Sequence, residues 1–146
     1  MAFVRPFRAL TYDRQVAGPL SGVVSPPYDV ISPEEREGYL AASDHNAVRL
    51  ILPGTDYDDV AGLMADWLAA GVITRADAPV MIAWTQTFDL GDGVLRERRT
   101  ILGAVGLEPY ENRVVRPHER THAGPKEDRL RLTRAVRTNL SPVFSM

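Results

Sequence analysis

The densest run of chemically capable side chains lies between Arg116 and Arg129. It reads Arg116–Pro117–His118–Glu119–Arg120–Thr121–His122, then Gly124–Pro125–Lys126–Glu127–Asp128–Arg129. Within fourteen residues it offers imidazole, carboxylate, hydroxyl, ammonium and guanidinium groups. Such a set can move a proton and hold an anion. A Gly-Pro approach to a helix leaves backbone N–H groups at its first turn facing outward, and such groups bind phosphate. Arg and Lys beside them would add charge-assisted hydrogen bonds. On the residues alone, a polar connector running into a capped helix accounts for the segment equally well. A metal pair fits less well: His118 and His122 stand four apart, but Pro117 and Gly124 work against a continuous helix across them. No G-x-S-x-G, Walker or dinucleotide motif occurs in the chain. Tyr28 and Asp29, in Ser25–Pro26–Pro27–Tyr28–Asp29–Val30–Ile31, either face a cleft or hold the Pro-Pro loop in place.

The elements that must position these groups follow from patterning. Phe3–Tyr12 reads as an opening strand weakened by Pro6, and Val23–Ile31 as a fixed extended loop, since each proline lacks an N–H and restricts the residue before it. Ser32, Pro33 and Glu35 form a capping box that starts a helix over Pro33–Ala42. His45 reads as a helix-exit residue. Ala47–Leu52 (AVRLIL) reads as a short buried strand stopped by Pro53–Gly54. Between Asp56 and Ala70, Val60, Leu63, Met64, Trp67 and Leu68 make one helical stripe, with Gly71 as the stop. Val80–Leu90 and Val94–Leu107 flank Gly91–Asp92–Gly93, a hairpin signal. A last helix over Lys126–Thr138 places Leu132, Ala135 and Val136 inward and Lys126, Arg134 and Arg137 outward. Asp128 falls on its inner face, where a carboxylate needs a partner. The sum is an α+β single domain, 1–146: a mixed or antiparallel sheet with the hairpin at its centre and about three helices packed on it. Trp67, Leu63, Leu50, Ile82, Leu102 and Leu132 are its expected core. The Pro26–Asp29 loop is expected to approach residues 117–129 and form one wall of a shared cleft.

Composition bounds the function. The 146 residues suit one domain, and 45% apolar with 25% charged residues is ordinary globular usage. Cysteine is absent, which removes disulfides, thiolate metal sites and cysteine nucleophiles. The start of the chain lacks the apolar core of a signal peptide, and no apolar run approaches the ~20 residues that span a bilayer; a cytoplasmic protein without a membrane role is expected. The net charge of −2 gives no bulk case for nucleic acid. Its distribution is uneven: residues 111–139 carry eight basic and four acidic side chains, a balance of +4, against −6 for residues 1–110. Lys126 is the only lysine beside sixteen arginines.

Six segments in order carry a resemblance: Ser25–Ile31 (SPPYDVI), Gln86–Phe88 (QTF), Leu107–Tyr110 (LEPY), Pro117–Thr121 (PHERT), Pro125–Leu130 (PKEDRL) and Asn139–Phe144 (NLSPVF). Together they resemble the DUF1015 family of proteins of unknown function, over nearly the whole chain. Members are similar to the ParB/sulfiredoxin-like superfamily, which includes free-serine kinases. The resemblance implies phosphoryl transfer to the hydroxyl of free L-serine, with ATP, ADP or pyrophosphate as donor and Mg2+. Such chemistry needs a base to orient the hydroxyl and cations to spread the charge. His118 and Glu119 are the candidates for the first role. Arg120, Lys126 and Arg129 are the candidates for the second, with Thr121, Tyr28 and Asp29 at the substrate or phosphate side and Asp128 and Asn139 as structural support. No protein-held metal is implied. Family members also carry a downstream Asp-Gly-His-His-Arg motif that this chain lacks, so the resemblance is to the N-terminal part of a longer protein, expected to be inactive alone.

Two readings from other classes compete. A ParB-like nucleotide or nucleic-acid module draws on the +4 segment and the outward Lys126, Arg134 and Arg137, against an acidic remainder and no helix-turn-helix pattern. A non-catalytic interaction domain would dock on a C-terminal half or form a homo-oligomer.

Overall fold

The computed structural model describes residues 1–54, 56–117 and 123–143, with side chains except that of Ala123. In chain order these form β1 (Val4–Arg5), β2 (Leu10–Tyr12), α1 (Arg14–Ala17), α2 (Leu20–Val23), a 3-10 turn (Tyr28–Val30), α3 (Pro33–Ala42), α4 (Val48–Ile51) and α5 (Tyr57–Ala69). Then come β3 (Ile73–Arg75), β4 (Ile82–Asp89), β5 (Leu95–Leu102), β6 (Ala104–Val105), a second 3-10 turn (Tyr110–Asn112) and α6 (Ala123–Val136). The fold is α+β. Its strands pair as β1–β6, β2–β3 and β4–β5. The chain divides into two compact units, Leu10–Thr74 with Thr121–Met146 and Met1–Ala9 with Arg75–Arg120.

The helical unit holds the core. Val60, Met64 and Trp67 of α5 pack with Ala17, Val23, Leu50, Val72, Ile73 and Leu132, all buried, and Leu63 and Leu68 pack partly buried against them. The capping box of α3 is present: Ser32 Oγ accepts from the Glu35 N–H at 3.2 Å, and Glu35 Oε2 accepts from the Ser32 N–H at 2.8 Å. Asp56 caps α5 through the Asp58 N–H, and Gly71 follows with φ +73°. Within Ala47–Leu52, where a strand is expected, Val48–Ile51 is a short helix. Val48, Leu50 and Ile51 are buried while Arg49 is half-buried, and periodicity alone does not separate strand from helix in so short an apolar run. What decides it is Asn46, whose Oδ1 accepts from the Val48 N–H at 3.0 Å and opens the turn. Helix α6 starts three residues earlier than expected, with Gly124 and Pro125 inside its first turn, where proline costs no intrahelical bond. It ends two residues earlier, before Arg137 at φ +50°.

The strand unit is built from ribbons. Residues 3–12 do not form one strand: β1 pairs antiparallel with β6, and Phe7 bridges to Val80. The hairpin forms as the Gly-Asp-Gly turn predicts, antiparallel from Ile82↔Leu102 to Asp89↔Leu95. Asp89 Oδ1 accepts from the N–H groups of Gly91, Asp92 and Gly93, and both glycines have positive φ. Among the described residues it is a two-stranded sheet and not the centre of a larger one. Ile82 and Leu102, expected in the core, are cross-strand neighbours and only half-buried.

Candidate functional site

Three pieces of the helical unit converge on one concavity. The first is the Pro-Pro loop. Asn46 is 1% exposed and donates through Nδ2 to the carbonyls of Gly22 at 2.8 Å and Val24 at 3.2 Å, while the Ala47 N–H bonds the Val23 carbonyl at 2.7 Å. The loop therefore leaves the core from a fixed point. Its prolines keep it extended until the 3-10 turn that starts at Tyr28, closed by the Val30 N–H on the Pro27 carbonyl. The second piece is Leu52–Pro53–Gly54. Arg36 reaches it from α3, donating from Nε to the Leu52 carbonyl at 2.8 Å and from Nη2 to the Pro53 carbonyl at 2.5 Å. Gly54 has φ +71°, and a Cβ there would lie 2.9 Å from Arg36 Nη2, so only glycine suits both the backbone and the guanidinium.

The third piece is the start of α6. Asp128 accepts from the Tyr57 hydroxyl of α5 and from Arg129, whose Nε lies 2.8 Å from Asp128 Oδ2. Arg129 Nη1 donates to the Ile51 carbonyl at 2.7 Å, and its guanidinium lies 4.0 Å from the centre of the Tyr28 ring. A partly desolvated cation on an aromatic face at that distance is an attractive contact. One side chain thus joins α6, α4 and the Pro-Pro loop. Arg131 adds a longer contact, 5.4 Å from the Tyr57 ring centre. The cavity measures about 400 Å³, and Tyr28, Pro53, Tyr57, Pro125, Asp128 and Arg129 are among its walls.

The electrostatics follow from this pairing. Burial works to raise the Asp128 pKa, but the Tyr57 hydroxyl and the Arg129 guanidinium outweigh it and hold the carboxyl below its ordinary value. Its hydrogen bond to Asp128, then burial, push the Tyr57 hydroxyl up. At neutral pH the cavity wall is an ionised carboxylate, a neutral phenol and a guanidinium already engaged. Such a wall can position a polar ligand by hydrogen bonding while the rings and prolines cover its apolar part.

The model of a family described as protein of unknown function DUF1015 matches residues 4–146. The chain belongs to the DUF1015 family. No curated protein and no solved structure matches it. In this DUF1015 chain Tyr28, Asp128 and Arg129, singled out from the sequence, meet at the cavity. Asp29 is exposed on the 3-10 turn, Lys126 is exposed on α6 and Asn139 is exposed beyond it. His118, Glu119, Arg120 and Thr121 lie outside the described residues. The sequence reading missed Tyr57, Arg36, Asn46 and Gly54. Tyr57 follows the N-cap Asp56, and Asn46 precedes a buried run; both positions were readable as helix starts, but neither spacing names its partner. Among the described residues no three His, Cys, Asp or Glu side chains gather to hold a metal ion, and no helix is long and apolar enough to cross a membrane.

Proposed function

We propose that this chain is the phosphate-handling part of a serine-kinase-like phosphotransferase, acting on the hydroxyl of free L-serine. The observation that carries the reading is the meeting of two family segments, SPPYDV and PKEDRL, around one cavity through the Arg129–Tyr28 contact. A volume near 400 Å³ sits at the small end of the ~300–1,000 Å³ usual for ligand sites, in keeping with a compact acceptor. Asp128 and the Tyr57 hydroxyl offer it hydrogen bonds.

In this reading the two cations of α6 divide the work. Lys126, exposed one turn before Arg129, supplies a mobile point charge to the transferred phosphoryl group. Arg129 is a positioning residue, because Asp128, Ile51 and Tyr28 already engage its guanidinium. His118 and Glu119 are the proposed bases. The donor is ATP, ADP or pyrophosphate. Mg2+ would arrive on the donor's phosphates, as it commonly does where few carboxylates are offered. The chain alone is proposed to bind ligand without turnover.

The test is NMR titration of the full chain with L-serine and with pyrophosphate, each with and without Mg2+. L-serine should shift the amides of Tyr28, Gly54 and Asp128, and Lys126→Ala should weaken pyrophosphate and leave L-serine unchanged. Shifts that cluster elsewhere, or a Lys126→Ala variant that binds pyrophosphate as the wild type does, would overturn the reading.

A further inference from the structure

The hairpin β4–β5 has two unlike edges. Over residues 82–88 strand β4 reads Ile-Ala-Trp-Thr-Gln-Thr-Phe, with no charge and no proline. Strand β5 carries Arg96, Glu97, Arg98 and Arg99 in succession. Charged side chains blunt an edge, while an uncharged, β-prone edge is a template for another strand. Among the described residues β4 pairs with β5 alone, so its other edge has no strand beside it there. Trp84 and Phe88 share one face with Gln86 between them and are 40% and 37% exposed.

We propose that β4 pairs antiparallel with β4 of a second copy of this chain, about a two-fold axis through Gln86. Directly opposed residues in an antiparallel pair share a face, and the register Gln86↔Gln86 keeps the aromatic faces of both copies on the same side. That register sets Trp84 of each copy opposite Phe88 of the other, and Thr85 opposite Thr87. Cross-strand aromatic pairs and Thr–Thr pairs both stabilise a sheet. The contact is isologous, so it closes on a dimer and does not propagate. Pairing through β5 would instead bring the arginines of two copies together. The sequence of β4 therefore selects both the edge and the occupant. A single short ladder lies at the low end of interface sizes, below about 1,200 Å², and the dimer is correspondingly weak.

Sedimentation equilibrium of the full chain should show a reversible dimer, and two variants test its register. Trp84→Lys and Phe88→Glu should each weaken the dimer at least tenfold. Their equimolar mixture should recover it, because the introduced lysine of one copy then faces the introduced glutamate of the other, while the remaining Trp and Phe still meet. The chain has no cysteine, so Gln86→Cys should cross-link to its own copy on oxidation, and Arg99→Cys on β5 should not. A chain that stays monomeric up to about 1 mM would overturn the proposal. So would a dimer indifferent to both variants, or one that cross-links at residue 99 and not at 86.

Discussion

The helical unit and the strand unit use apolar residues in opposite ways. In the first, nine buried side chains from five helices and the segment after α5 close on one another around Trp67. Tyr12 and His45 add ring contacts to it, and burial pushes the Tyr12 hydroxyl up to about 12. In the second, Ala9 is the one buried apolar residue among those described, while Leu95, Ile101 and Val94 stand more than half exposed. What holds the ribbon is local: a full antiparallel ladder, a turn in which one carboxylate takes three N–H groups, and paired side chains such as Arg98 on Gln86. A hairpin alone is marginal in water. Stability therefore resides in one unit, and the candidate cavity is built on that unit.

Truncation should expose this difference most strongly. Leu132→Ala, in the core, is expected to cost ~2–5 kcal/mol in denaturant unfolding. Leu95→Ala, 73% exposed, should stay within about 0.5 kcal/mol. Equal losses at the two sites would mean that the ribbon shares a core after all. A smaller effect is expected at the fixed point of the Pro-Pro loop. Asn46→Ala leaves two carbonyls and one N–H without their partner, a loss of ~1–3 kcal/mol for buried groups. Hydrogen exchange at Val48 should quicken in that variant while exchange across β4–β5 is unchanged. Faster exchange in both units would break the comparison.

The sequence makes local devices legible and long-range partners illegible. Ser32 and Glu35 announce the capping box because both partners lie within four residues. The stripe of α5 announces its buried face, and Gly91–Asp92–Gly93 announces the hairpin. Asp128 even announces its need of a partner by falling on the inner face of α6. Its partner Tyr57 lies 71 positions away, and the Ile51 carbonyl that fixes Arg129 lies 78 away. No periodicity reaches that far. The misreading of Ala47–Leu52 has a different cause: a short apolar run, interrupted only by Arg49, has too little period to tell strand from helix. The division into two units is equally silent, because residues 1–9 join residues 75–120 with no linker composition between them.

Asp92 of the strand unit and Asp128 of the helical unit are both held below the ordinary carboxylate value, and acid should separate the two. In the strand unit Asp92 is lowered to about 2, chiefly by its two hydrogen bonds from Arg96 and then by the Val94 N–H. In the helical unit Asp128 is lowered by Tyr57 and Arg129 against burial. A depressed folded pKa contributes stability that is present above the unfolded value, near 3.8, and is lost as pH falls through the folded one. Asp128 is 40% exposed, so screening limits its share to at most about 1 kcal/mol. Asp128→Asn should therefore lower stability at neutral pH by that small amount and flatten its fall below about pH 4. The Asp92 pair is fully at the surface, and its titration should be visible only locally. The amides of Gly91, Gly93 and Val94 should shift with a midpoint near 2 while the Trp67 indole signal holds steady through the same range. An Asp92 midpoint near 3.8 would mean that the Arg96 bridge does not hold the turn in solution. A Trp67 signal that follows Asp92 would mean that the two units respond to acid as one.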